Sequence, residues 1–173
     1  MNKVSLFVLD ANVFIEAARR YYAFDLVPAF WDTLLYWARN GRIVSVDRVK
    51  DELARSNDKL AKWATGQFHK HFASTGNEEV MNAYRQIIQW ACAQTQFKDS
   101  AKAEFARANN ADAWVVAYAL AKKAVVVTHE QLNRNAKRRI PIPNVCRAFN
   151  VLYVDTFEML RQLGVKFFAN QEG

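Results

Sequence analysis

The sequence has 173 residues, of which 51% are hydrophobic and 24% are charged. This length and balance favour a single globular domain over 1–173 with a substantial buried core, and they argue against two independent domains. Aromatic residues make up 13% of the chain, while glycines number 5 and prolines 3, so disordered and fibrous classes are poor fits.

The formal net charge of +7 favours a polyanionic partner, because a positive field concentrates either nucleic acid or acidic protein near the surface. Cys92 and Cys146 are the only cysteines, and neither lies in a CxxC pair or near a histidine at ligand spacing, which argues against a disulfide framework and structural zinc. The apolar run at 4–9 is broken by Asp10 well short of a signal-peptide core, and no other stretch approaches a membrane span. We therefore expect a protein of the reducing cytoplasm with no membrane partner.

The first part of the chain predicts two strands, each followed by helix. The continuously apolar run at 4–9 is typical of a central strand in a parallel sheet that helices cover on both faces. Helices are expected over 11–20 and 28–40. Residues 42–46 predict the second strand, and a further helix begins at about residue 47.

The rest of the chain continues this alternation after a helical segment. Residues 59–97 hold two helical patterns, and we interpret about 57–106 as a helical insertion. A helix over 111–123 leads into a β-branched strand at 124–128, and 151–154 predicts the last strand. Strands separated by helices predict an α/β fold with a mainly parallel sheet, whose ligands bind beyond the carboxyl ends of the strands.

Four acidic residues lie next to these predicted strand ends. Asp10 ends the first strand, Glu52 lies in the helix after the second, Asp112 opens the helix before the third, and Glu130 follows that strand. Four carboxylates together would repel one another unless a divalent cation neutralised them, and Mg²⁺ or Mn²⁺ prefers oxygen ligands with retained waters. A metal-activated water could then hydrolyse a bound phosphodiester.

Each acid also has a structural explanation. Asp10 is a favoured N-cap residue for the helix that follows it. Asp112 would complement the helix dipole from the first turn, and Glu52 would pair with Arg48 or Arg55 on its helix surface. The fourth acid is expected in a loop, where glutamates are usually exposed. The function is indicated by the group rather than by any one member.

The segments around these acids resemble the pattern of the PIN-domain family. Residues 9–14 (LDANVF) match the apolar strand that ends in an aspartate, and 49–53 (VKDEL) match the glutamate after the second strand. Residues 111–119 (ADAWVVAYA) match an aspartate followed by a small apolar helix. Residues 126–130 (VVTHE) take the place of the family's strand running into Thr-x-Asp. The order and the spacing agree.

Two further segments extend the resemblance over nearly the whole chain. Residues 16–25 and 142–146 resemble a bacterial PIN-like branch labelled as a domain of unknown function. The departure from the family pattern is Glu130, which stands where an aspartate is usual and leaves the fourth ligand position open. Asp155 is an alternative for that position, although an N-cap role for the last helix is the better interpretation.

The resemblance implies a three-layer α/β/α sandwich and endonucleolytic cleavage of RNA. An activated water would attack the phosphorus and leave a 5′-phosphate and a 3′-hydroxyl. One or two Mg²⁺ or Mn²⁺ ions would be bound, and the implied ligands are Asp10, Glu52 and Asp112. Glu130 or Thr128 would help through water. Asn12 would orient a carboxylate or a water, or else cap its helix.

The basic loop at 133–139 is the densest candidate for RNA contact, because phosphate binding must come from cations around an acidic site. Its candidate residues are Arg134, Lys137, Arg138 and Arg139. An ordinary solvated loop is the competing interpretation.

The resemblance to VapC-type toxin ribonucleases implies a biological role. The chain would be the toxin of a bacterial toxin–antitoxin pair, with a cognate antitoxin as partner and a homodimer as a further possibility. Two alternatives stay open. One is a non-catalytic PIN-like module that binds RNA or protein; the other, ranked last, is a structure-specific DNA nuclease.

Overall fold

A parallel five-stranded sheet forms the centre of the molecule in the computed structural model, which describes residues 4–169. In chain order the strands are β1 (Phe7–Leu9), β2 (Ile43–Val46), β3 (Phe72–Ala73), β4 (Val125–Val127) and β5 (Tyr153–Val154). Their order across the sheet is β3-β2-β1-β4-β5, and every pairing is parallel. All residues of the central strands β1 and β4 are buried and apolar, as expected for strands covered on both faces.

Helices connect these strands and follow the last of them. They are α1 (Ala11–Glu16), α2 (Pro28–Arg39), α3 (Asp47–Ala54), α4 (Lys59–Thr65), α5 (Glu78–Ala93), α6 (Asp99–Phe105), α7 (Asp112–Lys122), α8 (Ile142–Ala148) and α9 (Thr156–Gln162). A π-helical turn, Ala17–Tyr21, extends α1, and a 3-10 turn, His69–His71, precedes β3. No helix of residues 4–169 is long and apolar enough to cross a bilayer.

The strand order divides the helices between the two faces of the sheet. Crossovers between parallel strands are right-handed, so the steps from β1 to β2 to β3 put α1–α4 on one face. The return from β3 to β4 and the step to β5 put α5–α8 on the other. The packing agrees, because α1 contacts α3 and α3 contacts α4, whereas α7 contacts α5 and α8. The predicted α/β/α sandwich is confirmed.

The carboxyl ends of β1 and β4 form the switch point of this topology. The chain leaves β1 towards β2 and leaves β4 towards β5, in opposite directions along the sheet. Connections that diverge from neighbouring strands leave a crevice between them, where open α/β sheets bind their ligands. Asp10 and Thr128 directly follow these two strands, so the fold places both residues at the crevice.

The structure departs from the sequence predictions in three places. The helix predicted over 11–20 keeps its α-helical pattern only to Glu16 and continues as a π-turn. The insertion predicted to be helical over about 57–106 contains β3, which pairs with the edge of β2 and is too short to show alternation. Helix α8 was not predicted from the sequence; Pro143 lies in its first turn, where no N–H is needed.

An aromatic cluster fastens this insertion to α1. The ring centroid of Phe14 lies 6.0 Å from that of Trp63, 5.7 Å from that of Phe68 and 6.2 Å from that of Phe72. Phe14 is fully buried, and its partners lie between α4 and β3. Burial of these rings contributes the largest apolar areas available to a core, so they hold α1, and therefore the residues before it, in place.

Candidate acidic active site

Asp10 is the buried acid at the carboxyl end of β1. Its N–H donates to the Val127 carbonyl at 3.0 Å and so continues the sheet. The residue is 1% exposed, and its Oδ2 accepts a hydrogen bond from the Thr128 hydroxyl at 3.1 Å. Asp10 occupies the N-cap position of α1, yet its side chain makes no capping hydrogen bond there. Capping therefore does not account for this carboxylate.

Helix α7 brings Asp112 to the same edge of the sheet. Asp112 is the first residue of α7, and its N–H donates to Asn110 Oδ1 at 3.0 Å. The residues that follow, 113–119, are all buried, which is typical of a helix packed against a sheet, and α7 contacts β1, β2 and β4. The Asp112 side chain is 21% exposed and opens into a cleft.

The acids of this edge perturb one another electrostatically. Burial, followed by the charges of Asp112 and Glu130, raises the pKa of Asp10 well above its ordinary value, against the hydrogen bond from Thr128. Burial and the Glu130 charge raise the pKa of Asp112 to about 7; the Arg139 charge opposes this rise and Glu52 adds to it. Such mutual repulsion is typical of carboxylates that share a site, and functional sites are where it concentrates.

Glu52 and Asn12 line the same cleft as Asp112, which has a volume of about 540 Å³. Glu52 lies half-buried on α3, where burial raises the pKa of its carboxyl group and the charge of Arg55 opposes the rise. Among the residues that the structure describes, Glu52 forms no ion pair with Arg48 or Arg55. Its position is therefore not explained by pairing on the surface of its helix.

Glu130, in the loop after β4, is engaged by two donors. Its Oε2 accepts a hydrogen bond from the N–H of Ile142, the first residue of α8, at 2.7 Å. Its Oε1 pairs with the guanidinium of Arg139, whose Nη2 also lies 3.7 Å from Asp112 Oδ2. The Glu130 N–H donates to the Thr128 hydroxyl oxygen at 3.2 Å. Glu130 thus fixes the start of α8 and holds Arg139 next to Asp112.

The donor chemistry of this edge fits a hard divalent cation. Across residues 4–169, no three acidic, histidine or cysteine side chains lie close enough together to hold one ion. Mg²⁺, however, is commonly bound through one or two carboxylates, with water and substrate phosphate completing its shell. Asp10 and Asp112, whose charges repel, supply such a pair. The three ligands that the family resemblance implies, Asp10, Glu52 and Asp112, stay a prediction.

The basic loop after β4 contributes unequally to the cleft. Arg138 and Arg139 line it, Lys137 lines a neighbouring recess of about 540 Å³, and Arg134 lines neither. The loop is fastened to the insertion, because the side-chain amide of Gln96 donates to two loop carbonyls at 2.7 and 2.8 Å. Two of the four predicted RNA contacts therefore face the acids.

The sequence predictions missed the other side of the cleft. The polar residues that line it there are Arg55, Arg107, Asn109 and Asn110. Arg55 follows Glu52 by three residues, so one helical turn separates the two, and this spacing was the available signal. The remaining three precede Asp112 in a connection without periodicity, which gives no comparable indication.

Comparison with known proteins supports the fold. A sequence model of the family described as a domain of unknown function (DUF4411) matches residues 7–167. A search of curated proteins found no match. The chain is similar to the crystal structure of VapBC2 from Rickettsia felis bound to a DNA fragment from their promoter, with a TM-score of 0.53 and 16% identity, covering 87% of this chain and 98% of that one. The structure of FitAB bound to an IR36 DNA fragment matches with a TM-score of 0.52 and 19% identity, covering 87% of this chain and 94% of that one. These likenesses confirm the PIN-like fold.

Proposed function

The chain belongs to the family described as a domain of unknown function (DUF4411), and we propose that this member is a Mg²⁺- or Mn²⁺-dependent endoribonuclease. The observation that carries the proposal is the pair of acids Asp10 and Asp112. They lie at the switch point of a parallel sheet, and the charge of Asp112 raises the pKa of the buried Asp10. Burying carboxylates that repel one another is costly for folding, so a cation bound between them offers a physical reason for the arrangement.

Each residue of the site has a defined task in this proposal. Asp10 and Asp112 would hold the ion, with Glu52 placed to reach it through water. When bound, the ion supplies an activated water and neutralises charge on the scissile phosphate. Thr128 orients Asp10 through its hydroxyl hydrogen bond, and Asn12 presents its amide to the cleft.

The residues beyond the acids would bind substrate. Arg138 and Arg139 line the cleft and would contact RNA phosphates, with Lys137 and Arg134 farther along the same loop. Glu130 would act indirectly, because its carboxylate is already engaged by Ile142 and Arg139.

We further propose that the chain is the toxin of a bacterial toxin–antitoxin pair and acts in the cytoplasm. The likeness to the VapBC2 and FitAB structures supports this role, since the sequence resembles VapC-type toxins. The net charge of +7 would suit an acidic antitoxin. A homodimer is also consistent with this class.

Two observations favour a second candidate, a non-catalytic module that binds RNA or protein. Arg139 already places a cation beside Asp112 and Glu130, and no three ligating side chains of the described part of the chain converge on one point. In such a module the acids would serve the structure by fixing Arg139 and α8.

RNA cleavage by the purified protein separates these candidates. We expect wild type to cut RNA with Mg²⁺ or Mn²⁺ and to lose activity in EDTA. Asp10→Asn and Asp112→Asn should each slow cleavage by about 10²-fold or more, the scale expected when an electrostatic group is lost. Asp155→Asn is the matched control, because Asp155 also follows a strand but its carboxylate caps α9 by accepting from the Glu158 N–H.

Two outcomes would contradict the nuclease. Equal cleavage by wild type and both variants would assign the activity to a contaminant or another site. RNA binding without cleavage in either metal would leave the binding module as the better account.

A further inference from the structure

The cleft is bounded on two sides by different parts of the fold. Helix α3 follows β2 and the basic loop follows β4, and these strands lie on opposite sides of β1. Asp10, at the end of β1, therefore lies between α3 and the loop. The connection at 106–111, between α6 and α7, closes the α3 side of the cleft.

Hydrogen bonds hold this connection against α3. Arg48 Nη1 donates to the Ala108 carbonyl at 2.9 Å, and Arg55 Nη2 lies 3.4 Å from the Asn109 carbonyl. The Arg48 guanidinium also lies 4.6 Å above the ring of Trp114, a cation–π contact that fixes it on α7. The α3 side is thus a built surface rather than a free loop.

Two arginines project from this surface into the cleft. Arg55 directly follows α3, and Arg107 lies in the connection; both line the cleft and both are exposed. Arg107 pairs with Glu104 at 2.8 Å, but its side chain is 65% exposed and such surface pairs contribute little, so a phosphate can replace the glutamate.

The distribution of charge is that of a phosphate-binding cleft with an acidic floor. Asp112 and Glu52 are largely or partly buried, whereas the arginines at the rim are exposed. Among the described residues that line the cleft, the one aromatic ring belongs to Phe105, which is 3% exposed. Without a ring to stack on bases, contact must come through the backbone of the nucleic acid.

We propose that Arg55 and Arg107 bind RNA phosphates on the α3 side of the cleft, opposite Arg138 of the basic loop. An RNA strand would then be held on both sides of Asp10 and Asp112, with its backbone crossing the acidic floor. This inference rests on the proposed ribonuclease function and adds to it a second phosphate-binding surface. Contacts of this type are independent of base sequence and sensitive to salt.

The test is RNA binding in EDTA, so that it does not depend on cleavage. Fluorescence anisotropy with a labelled single-stranded RNA oligonucleotide would compare wild type, Arg55→Gln and Arg107→Gln at several salt concentrations. We expect each variant to bind about threefold to tenfold more weakly at low salt, and the slope of log K against log salt to fall by about 0.7. The loss should be the same for RNAs of different sequence.

Matched controls come from arginines outside the cleft. Arg161 is 74% exposed and faces Glu158 at three residues' spacing, as Arg107 faces Glu104. Arg85 is exposed on α5. Arg161→Gln and Arg85→Gln remove the same charge and should bind RNA within twofold of wild type, which corresponds to a difference of about 0.4 kcal/mol.

The outcomes separate this inference from the nuclease proposal. Weaker binding by Arg55→Gln and Arg107→Gln alone supports the second surface, even if no variant cuts RNA. Unchanged binding and salt slope in both variants would overturn it, even if wild type cleaves RNA with metal. Equal losses in the two control variants would also overturn it, because net charge would then account for the effect.

Discussion

Asp112 and Arg139 show how charge is balanced at the level of single residues. The Arg139 guanidinium lies 3.7 Å from Asp112 Oδ2 and also pairs with Glu130. It opposes the rise in the pKa of Asp112, yet burial and the neighbouring acids still raise that pKa to about 7. One exposed arginine therefore compensates this carboxylate only in part.

This imbalance predicts a pH-dependent stability that Asp112→Asn should remove. The pKa of Asp112 is about 7 in the folded chain against an ordinary 3.8, so the folded state binds more protons between these values and stability falls as the pH rises through them. If the ionised carboxylate costs about 2 kcal/mol, the variant should unfold about 4–8 °C higher than wild type at pH 8. At pH 4 the two proteins should unfold at similar temperatures. Thermal unfolding in EDTA at pH 4, 6 and 8 measures the difference.

Asp51→Asn is the control for this measurement, since Asp51 is exposed on the same helix as Glu52. It should unfold in parallel with wild type at every pH. A constant difference between Asp112→Asn and wild type across the range would contradict the electrostatic explanation. Addition of Mg²⁺ at pH 8 should stabilise wild type and leave Asp112→Asn unchanged.

The sequence predicted that Asp10 and Asp112 would lie at one edge of the sheet, and it pointed to the basic loop, but it did not predict a place in the cleft for Arg55 or Arg107. Asp10 and Asp112 are predictable because parallel strands bring their carboxyl ends to one edge. Arg107 enters the cleft only because the connection at 106–111 packs on α3, through contacts such as that of Arg48 with the Ala108 carbonyl, whereas Arg55 is indicated only by its spacing from Glu52. Arg48 and Ala108 are 60 residues apart in the sequence, and no local pattern encodes their contact.

At the level of helices and strands, Asp155 is an acid whose position is explained by helix capping and not by metal binding. Its Oδ1 accepts a hydrogen bond from the Glu158 N–H at 2.8 Å, as an N-cap of α9 does, and it does not line the acidic cleft. We expect Asp155→Ala to lower the free energy of unfolding by about 1 kcal/mol, because the first turn of α9 loses this bond. Denaturant unfolding measures the change.

Asp155→Asn provides the complementary variant, since asparagine caps helices as well as aspartate does. It should keep both stability and RNA cleavage. A stable Asp155→Asn protein that no longer cuts RNA would instead make Asp155 the fourth acid of the site, the alternative that the sequence left open at Glu130.

Elements with long periodic or apolar patterns were predictable, and short elements formed by tertiary contact were not. Central strands such as β1 are recognisable because burial on both faces leaves an apolar run. Strand β3 has only two residues, and it forms because they pair with Ser45 and Val46 at the edge of β2. The bounds of α8 likewise depend on Glu130, which accepts from the N–H of its first residue.

On the scale of the whole molecule, the site joins the two halves of the sheet. The half containing β1–β3 supplies Asp10, Glu52 and Arg55, while the half containing β4 and β5 supplies the basic loop. Asp112 arrives on α7, which packs across β1, β2 and β4. Since no single segment forms the cleft, its assembly requires the complete fold, and the charge of +7 spread over that fold would draw RNA towards it.

The toxin role predicts an effect on growth that depends on the carboxylates of Asp10 and Asp112 and not on the positive charge of the protein. Expression of wild type in a bacterial host should arrest growth because cellular RNA is cut, whereas Asp10→Asn and Asp112→Asn should allow growth at equal protein levels. Both variants keep every arginine of the cleft and the loop, so they retain the attraction for RNA. Growth curves with matched expression, together with RNA integrity on gels, measure the effect. Growth arrest by all three proteins would mean that RNA binding, rather than cleavage, is harmful. Normal growth with a wild type that cuts RNA in vitro would contradict the toxin role while leaving the nuclease in place.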